Sequence, residues 1–243
     1  MTNSQDAKTT ALVTGATSGI GRAVAIQLAS KGISVIVQGR NTERGAEVVK
    51  EIIESGGHAK FQYADLSKHD DVLQLIKDVN DVDILVNNAG IAWFGDSMDL
   101  DIKTFNTLFS VNVRAPYFLV SAFAPKMAEK GTGSIINIGS MAGQVGLSAG
   151  AAYGATKGAI ASLTRAWAAE FGAKGVRINT ISPGPTFTSG ASEDVIEALG
   201  ATTPFKRAAN VAEIAKAVAF LAISDSSYIT GANIAVDGGR TAV

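Results

Sequence analysis

The residues best suited to chemistry in this chain are Tyr153 and Lys157, in the run Tyr-Gly-Ala-Thr-Lys. On a helix, positions i and i+4 share a face, so the phenol and the ammonium stand one turn apart. A phenol is a poor acid–base group at neutral pH, and a nearby cation favours its phenolate form. One exposed lysine does little; a lysine in a water-poor cleft does much more. Placed there, Tyr153 can hand a proton to a forming alkoxide while hydride arrives at carbon. The same pair can also open an ordinary amphipathic helix. Ser140 tilts the balance. It follows the apolar 135–138 run, which puts it at the carboxyl end of a strand, where open α/β sheets bind ligands. A hydroxyl there can orient a substrate oxygen, or cap a turn.

A second cluster points to a phosphate-bearing partner. Thr14-Gly15-Ala16-Thr17-Ser18-Gly19-Ile20-Gly21 stands between a strand-like and a helical run. Glycines allow a sharp turn and close approach of a pyrophosphate, and a helix N-terminus behind them offers free N–H groups. The spacing is Gly-x-x-x-Gly-x-Gly, which a plain strand–helix turn can also show. The next strand-like run ends at Gln38-Gly39-Arg40-Asn41. A carboxylate there would favour the ribose hydroxyl of NAD; Arg40 instead suits the 2′-phosphate of NADP, unless it is simply a solvated arginine.

These residues need a frame that brings them together, and the rhythm of the chain supplies one. Strand-like runs are expected at 11–14, 33–37, 60–64, 83–86, 134–138, 176–181 and 233–236. Helical periodicity covers 19–30, 42–54, 72–79, 103–130, 153–172 and 211–223, with Pro116 and Pro125 kinking or delaying the long one. This alternation predicts an α/β fold in one domain over 1–243: a doubly wound, Rossmann-like parallel sheet with helices on both faces. Residues 183–204 lack clear periodicity and read as a long substrate loop.

Composition narrows the classes. The 243 residues are 47% hydrophobic and 18% charged, as expected for a globular chain with a large core. Twenty-one basic and 22 acidic side chains leave a net charge of -1, which argues against nucleic acid or an anionic membrane as partner. With no cysteine, disulfides, thiolate metal sites and cysteine nucleophiles are excluded. The polar first residues and the lack of an apolar run near ~18 residues point to a soluble, cytoplasmic protein.

Taken in order, these motifs resemble the single-domain branch of the short-chain dehydrogenases/reductases, over nearly the whole chain. Asn87-Asn88-Ala89-Gly90, Pro183-Gly184 and the Asp-Gly-Gly near 237–239 extend the likeness. The resemblance implies an NAD(P)(H)-dependent oxidoreductase that interconverts a carbonyl and a secondary alcohol without a catalytic metal. It implies Tyr153 as acid–base, Lys157 on the nicotinamide ribose, Ser140 on the carbonyl, and Asn112 holding a water in a proton relay. It places Gly15, Thr17, Ser18, Gly19, Ile20, Gly21 and Arg40 on the cofactor, with Asp65 and Leu66 at the adenine. Asn88, Ala89 and Gly90 would line the cleft, followed by Pro183 and Gly184, with Thr186 or Thr188 at the carboxamide. Ser18 departs from the pattern, because many NADP-using members carry a basic residue there.

The resemblance also implies a homotetramer built on the helices around 105–123 and 153–171. Met141, Val145, Leu147, Phe187 and Ile196 suggest an apolar or mixed carbonyl compound. General similarity to 3-oxoacyl-carrier-protein reductases adds a second substrate class, with Lys206 and Arg207 as a basic pair at the mouth. A sugar-nucleotide epimerase or dehydratase could use the same tyrosine and lysine, but the chain lacks the length for a sugar-nucleotide domain. A catalytically silent nucleotide-binding regulator would be expected to have lost Ser140, Tyr153 or Lys157, and all three are present.

Overall fold

A computed structural model describes residues 9–188, 190 and 192–243. The strands are β1 (Thr10–Val13), β2 (Ser34–Gly39), β3 (His58–Tyr63), β4 (Ile84–Asn87), β5 (Gly133–Ile138), β6 (Val176–Pro183) and β7 (Asn233–Val236). The helices are α1 (Gly19–Ala29), α2 (Thr42–Glu54), α3 (His69–Val79), α4 (Ile102–Phe109), α5 (Ala115–Lys130), α6 (Ala151–Phe171), α7 (Glu193–Ala201) and α8 (Val211–Ala222). The strands form one sheet in the order β3-β2-β1-β4-β5-β6-β7. Every pair in it is parallel.

Strand side chains alternate between faces, and each face is apolar, so both are covered by helices. Ala11, Val13, Val35, Val37 and Ile136 pack with α1, α2 and α8. Leu12, Ile36, Leu85 and Ile135 pack on the other side with α3, α5 and α6. Successive strands run outward from β1 to β3, then cross back to β4. The turns after β1 and β4 therefore diverge and leave a crevice at the carboxyl edge of the sheet. Among the described residues no helix is long and apolar enough to cross a membrane.

Most elements fall within a few residues of expectation, and α2 and β7 coincide with it. Two regions differ. The 103–130 stretch divides into α4, a π-helical turn over Ser110–Arg114, and α5. Pro116 sits in the first turn of α5, where a missing N–H costs little, and Pro125 lies inside that helix. The 183–204 segment is not all loop, because it contains α7. Ser192 opens that helix, Glu193 and Asp194 favour its N-terminus, and only Ile196 and Gly200 are buried, too sparse a stripe to show as periodicity. Ser189 and Ala191 of this segment, and the polar first eight residues, lie outside the described residues.

Candidate active site

The crevice begins as a cleft of about 660 Å³ around the turn after β1. Gly15, Thr17 and Ser18 line it, with Arg40, Asp65, Leu66, Asn88, Ala89 and Gly90. The turn is held from below. Buried Gln38 accepts from the Gly15 N–H at 3.1 Å and donates to the Ala64 carbonyl at 2.8 Å. Asn88 donates to the carbonyls of Thr14 and Gly15 at 2.8 and 3.2 Å, while the Thr14 hydroxyl accepts from the N–H groups of Asn88 and Ala89. Gly15 adopts φ +62°. A Cβ on Gly21 would stand 2.3 Å from both the Gly15 oxygen and the Asn88 amide, so only glycine fits. Ser18 precedes α1 without a side-chain cap, which leaves the helix's first N–H groups open toward the cleft. Ile20 contributes backbone there, since its side chain packs against the core.

At the end of the cleft beyond β2, exposed Arg40 faces Asp65 at 4.0 Å. Burial pushes the Asp65 carboxyl up, but hydrogen bonds from the Ser67 hydroxyl and N–H, with Arg40 and Lys68 nearby, hold it below the usual carboxylate range. Arg44 also lines this end, together with Asn41, whose side chain caps α2 by accepting from the Arg44 N–H at 2.8 Å. Sequence reasoning missed Gln38, Asn41 and Arg44. The α2 cap Asn-x-x-Arg was the available signal for the last two.

The cleft leads past Gly90 to α6. The Cβ position of Gly90 lies 3.4 Å from Lys157 Nζ and 3.5 Å from Asn112 Oδ1, which sets this glycine beside both side chains. Lys157 is 5% exposed and donates to the Ile138 carbonyl at 2.9 Å, which ties α6 to the end of β5 just before Ser140. Its ammonium stands 5.6 Å from the Tyr153 ring centroid. The Ser140 oxygen accepts from the Ala142 N–H at 3.1 Å, so the serine does cap a turn, yet its O–H donates to no protein acceptor among the described residues. The Tyr153 hydroxyl likewise has no protein partner among them. Lower on α6, the Asn137 amide donates to Thr164 at 2.8 Å and accepts from Asn87 at 2.8 Å; Thr164 in turn meets Thr180 at 2.7 Å. This buried polar chain fixes the helix against β4, β5 and β6.

Asn112 lies inside the π-helical turn. Its amide donates to the Ile91 carbonyl and to Thr156, and its oxygen accepts from the Ile91 N–H. Pro116 has no N–H to offer the Asn112 carbonyl four residues back. Pro183 ends β6, and Gly184 follows it, so close to Asp237 that a Cβ would stand 2.6 Å from the Asp237 Cα. The two threonines diverge. Thr186 is buried and bonds the Gly184 carbonyl at 2.9 Å, whereas the side chain of Thr188 lies 3.6 Å from the Cβ position of Gly19. Phe187 and Ile196 were expected on the substrate wall. They instead line a separate hollow with Gly19 and Arg22, because α7 folds back over the start of α1. The expected basic pair is also largely spent. Arg207 forms a bidentate pair with Glu213 at 2.8 Å, and Lys206 reaches the Ala201 carbonyl at 3.4 Å.

This arrangement recurs in known proteins. A protein-family profile described as Enoyl-(Acyl carrier protein) reductase matches residues 15–241. A solved structure named as a short chain dehydrogenase/reductase family protein is 48% identical, with a TM-score of 0.89 over 97% of this chain and 98% of its own. The chain belongs to the short-chain dehydrogenase/reductase family. The 3-oxoacyl-acyl-carrier-protein reductase FabG of Staphylococcus epidermidis is 36% identical over 237 residues, 94% of this chain and 97% of that protein. A gluconate 5-dehydrogenase from Burkholderia cenocepacia, solved with NADP and tartrate, is 31% identical, with a TM-score of 0.90 over 97% of this chain and 96% of its own. As a member of this family the chain is an oxidoreductase of carbonyl and alcohol groups that uses a nicotinamide dinucleotide. Its own residues fit that cofactor: the glycine cradle has no room for a Cβ, and the uncapped start of α1 faces it.

Proposed function

We propose that this short-chain dehydrogenase/reductase reduces a small-molecule carbonyl to a secondary alcohol with NADPH, using Tyr153 as proton donor. The observation that carries this reading is Tyr153 beside buried Lys157, with no acceptor for the Tyr153 or the Ser140 O–H among the described residues. When bound, the cofactor supplies the hydride that reaches the carbonyl carbon. Ser140 donates its free O–H to the substrate oxygen and holds it toward Tyr153. Tyr153 gives its proton to that oxygen as negative charge develops there, and Lys157 stabilises the phenolate left behind. One Lys157 N–H is taken by Ile138, which leaves the others to hold a cofactor ribose and the phenol. Asn112 braces the wall behind Lys157, and its backbone carbonyl, without a donor from Pro116, holds a water that returns the proton from solvent.

The preference for NADP rests on two cations. Arg40 and Arg44 flank the space beyond Gly39, and together they clamp a 2′-phosphate. Arg44 supplies the second charge that Ser18 does not. Thr188, beside Gly19, is the threonine placed to reach the cofactor, while Thr186 shapes the backbone. Exposed Phe105 and Tyr117 and a groove of about 760 Å³ along α4, α5 and α6 support assembly into a homotetramer through those helices.

The test is loss of reduced-nicotinamide absorbance with NADPH and, separately, NADH against ketones, diketones and 3-oxoacyl esters. Consumption of NADPH in preference to NADH is the expected result. Binding of NADPH without turnover of any carbonyl would move the chain to a silent nucleotide-binding role.

A further inference from the structure

The substrate side of Tyr153 carries an aromatic ring that the catalytic chemistry does not use. Phe94 meets the Tyr153 ring edge-on, with centroids 5.6 Å apart, yet remains 60% exposed. Its position is built rather than incidental. Trp93, its neighbour, lines an apolar hollow with Ile102 and Phe105. The Gly95 N–H donates to the Ala149 carbonyl at 2.8 Å, which pins the segment to the loop before α6. Ala149 takes φ +63° there, a conformation unfavourable for an L residue. The Cβ position of Gly150 lies 3.6 Å from the Phe94 ring, which sets the start of α6 in contact distance of that ring. An exposed ring set edge-on beside the proton donor is a ready surface for a flat apolar group.

Charge points the same way. Residues 140–152 and 183–192 contain no charged side chain, and residues 91–100 contain only Asp96 and Asp99, both exposed. Arg207 is already paired with Glu213. A carboxylate or phosphate on the substrate, or an acidic carrier protein behind it, would meet carboxylates and find no counter-charge offered by these segments.

We propose, resting on the reductase reading above, that Phe94 is a specificity-determining residue and that the substrate is an uncharged ketone with a flat ring or comparable apolar group beside its carbonyl. Phe94 covers one face of that group while Ser140 and Tyr153 hold the oxygen. The carboxylates of Asp96 and Asp99 select against anionic analogues.

The experiment compares NADPH-dependent reduction of acetophenone, butanone, para-acetylbenzoate and an acetoacetyl carrier-protein thioester. Acetophenone is expected to exceed para-acetylbenzoate in kcat/KM by about tenfold or more, the scale of one lost pocket contact. Phe94→Ala is expected to lower the acetophenone-to-butanone ratio of kcat/KM by about tenfold, mainly through KM. Phe94→Leu, which keeps apolar bulk without the ring, makes the same comparison if the alanine variant fails to fold. Asp96→Lys with Asp99→Lys narrows the gap between acetophenone and para-acetylbenzoate. Equal or better turnover of the carboxylate or the thioester overturns the substrate class and leaves the reductase reading standing. An unchanged aryl-to-alkyl ratio in both Phe94 variants overturns the role of Phe94. No turnover of any carbonyl overturns the reductase reading, and this inference with it.

Discussion

The two ends of the cleft are built on different principles. The cofactor end is braced by side-chain bonds to backbone: Gln38, Asn88 and Thr14 hold the turn after β1. A Cβ on Gly15 or Gly21 would collide with its neighbours. The substrate end is made of loops stitched at few points, with Phe94 exposed and Ala149 strained. A phosphate-binding cradle needs fixed N–H groups, because displaced donors lose most of a charge-assisted hydrogen bond. A substrate wall needs shape and polarity that can differ from one enzyme to another on the same sheet. The difference explains how one scaffold keeps its cofactor chemistry while its relatives include both a 3-oxoacyl reductase and a gluconate dehydrogenase.

Breaking the rigid end has the largest expected effect. Gly21→Ala places a Cβ 2.3 Å from the Gly15 oxygen. It should lose cofactor binding and destabilise the fold by about 1–3 kcal/mol; nucleotide titration and thermal melting check both. Arg44→Ala should weaken NADPH on the order of 1.5–3 kcal/mol and leave NADH nearly untouched. Calorimetric titration with both nucleotides reads this, and an equal loss for the two would remove Arg44 from the 2′-phosphate site.

At the substrate end the expected effects are smaller. Ala149→Gly relieves a positive φ and should change stability by no more than about 1 kcal/mol, because the glycine also adds freedom to the unfolded chain. Its sharper readout is selectivity: a looser Gly95–Ala149 clasp should blur the aryl-to-alkyl preference before it lowers the melting temperature.

The smallest effect concerns pH. Hydrogen bonds from Arg207, then from the Asn210 N–H, hold the Glu213 carboxyl at about 2 against an ordinary 4.5. A lowered carboxylate stabilises the fold above the ordinary value, and that contribution fades as pH falls from 4.5 toward 2. The pair is solvent-exposed, so the effect is modest. Melting curves of the wild type and Glu213→Gln should differ at neutral pH and converge across that interval.

The sequence made the cofactor end far more legible than the substrate end. Parallel strands buried on both faces leave near-continuous β-branched runs, so β2, with Val35-Ile36-Val37, could be read directly. Glycines that no other residue can replace, and a tyrosine and lysine one turn apart, mark their own places. Residues that brace rather than touch were hidden. Gln38 looks like any strand glutamine until its amide spans the Gly15 N–H and the Ala64 carbonyl. Arg44 lies on a charged helix face among similar neighbours. The fate of Phe187 and Ile196 depended on α7, whose two buried residues give no readable period. The role of Phe94 depended on a contact with Tyr153, 59 positions along the chain, which spacing cannot reveal.

The central claim is that Tyr153 supplies the proton in an NADPH-dependent carbonyl reduction. The direct test is turnover and NADPH affinity measured side by side for Tyr153→Phe. The ring and its contacts with Phe94 and Lys157 are retained, and only the hydroxyl is lost. The account predicts that turnover falls by at least the ~10²–10⁴-fold typical of a lost general acid, with NADPH binding nearly unchanged. Turnover close to that of the wild type would contradict it.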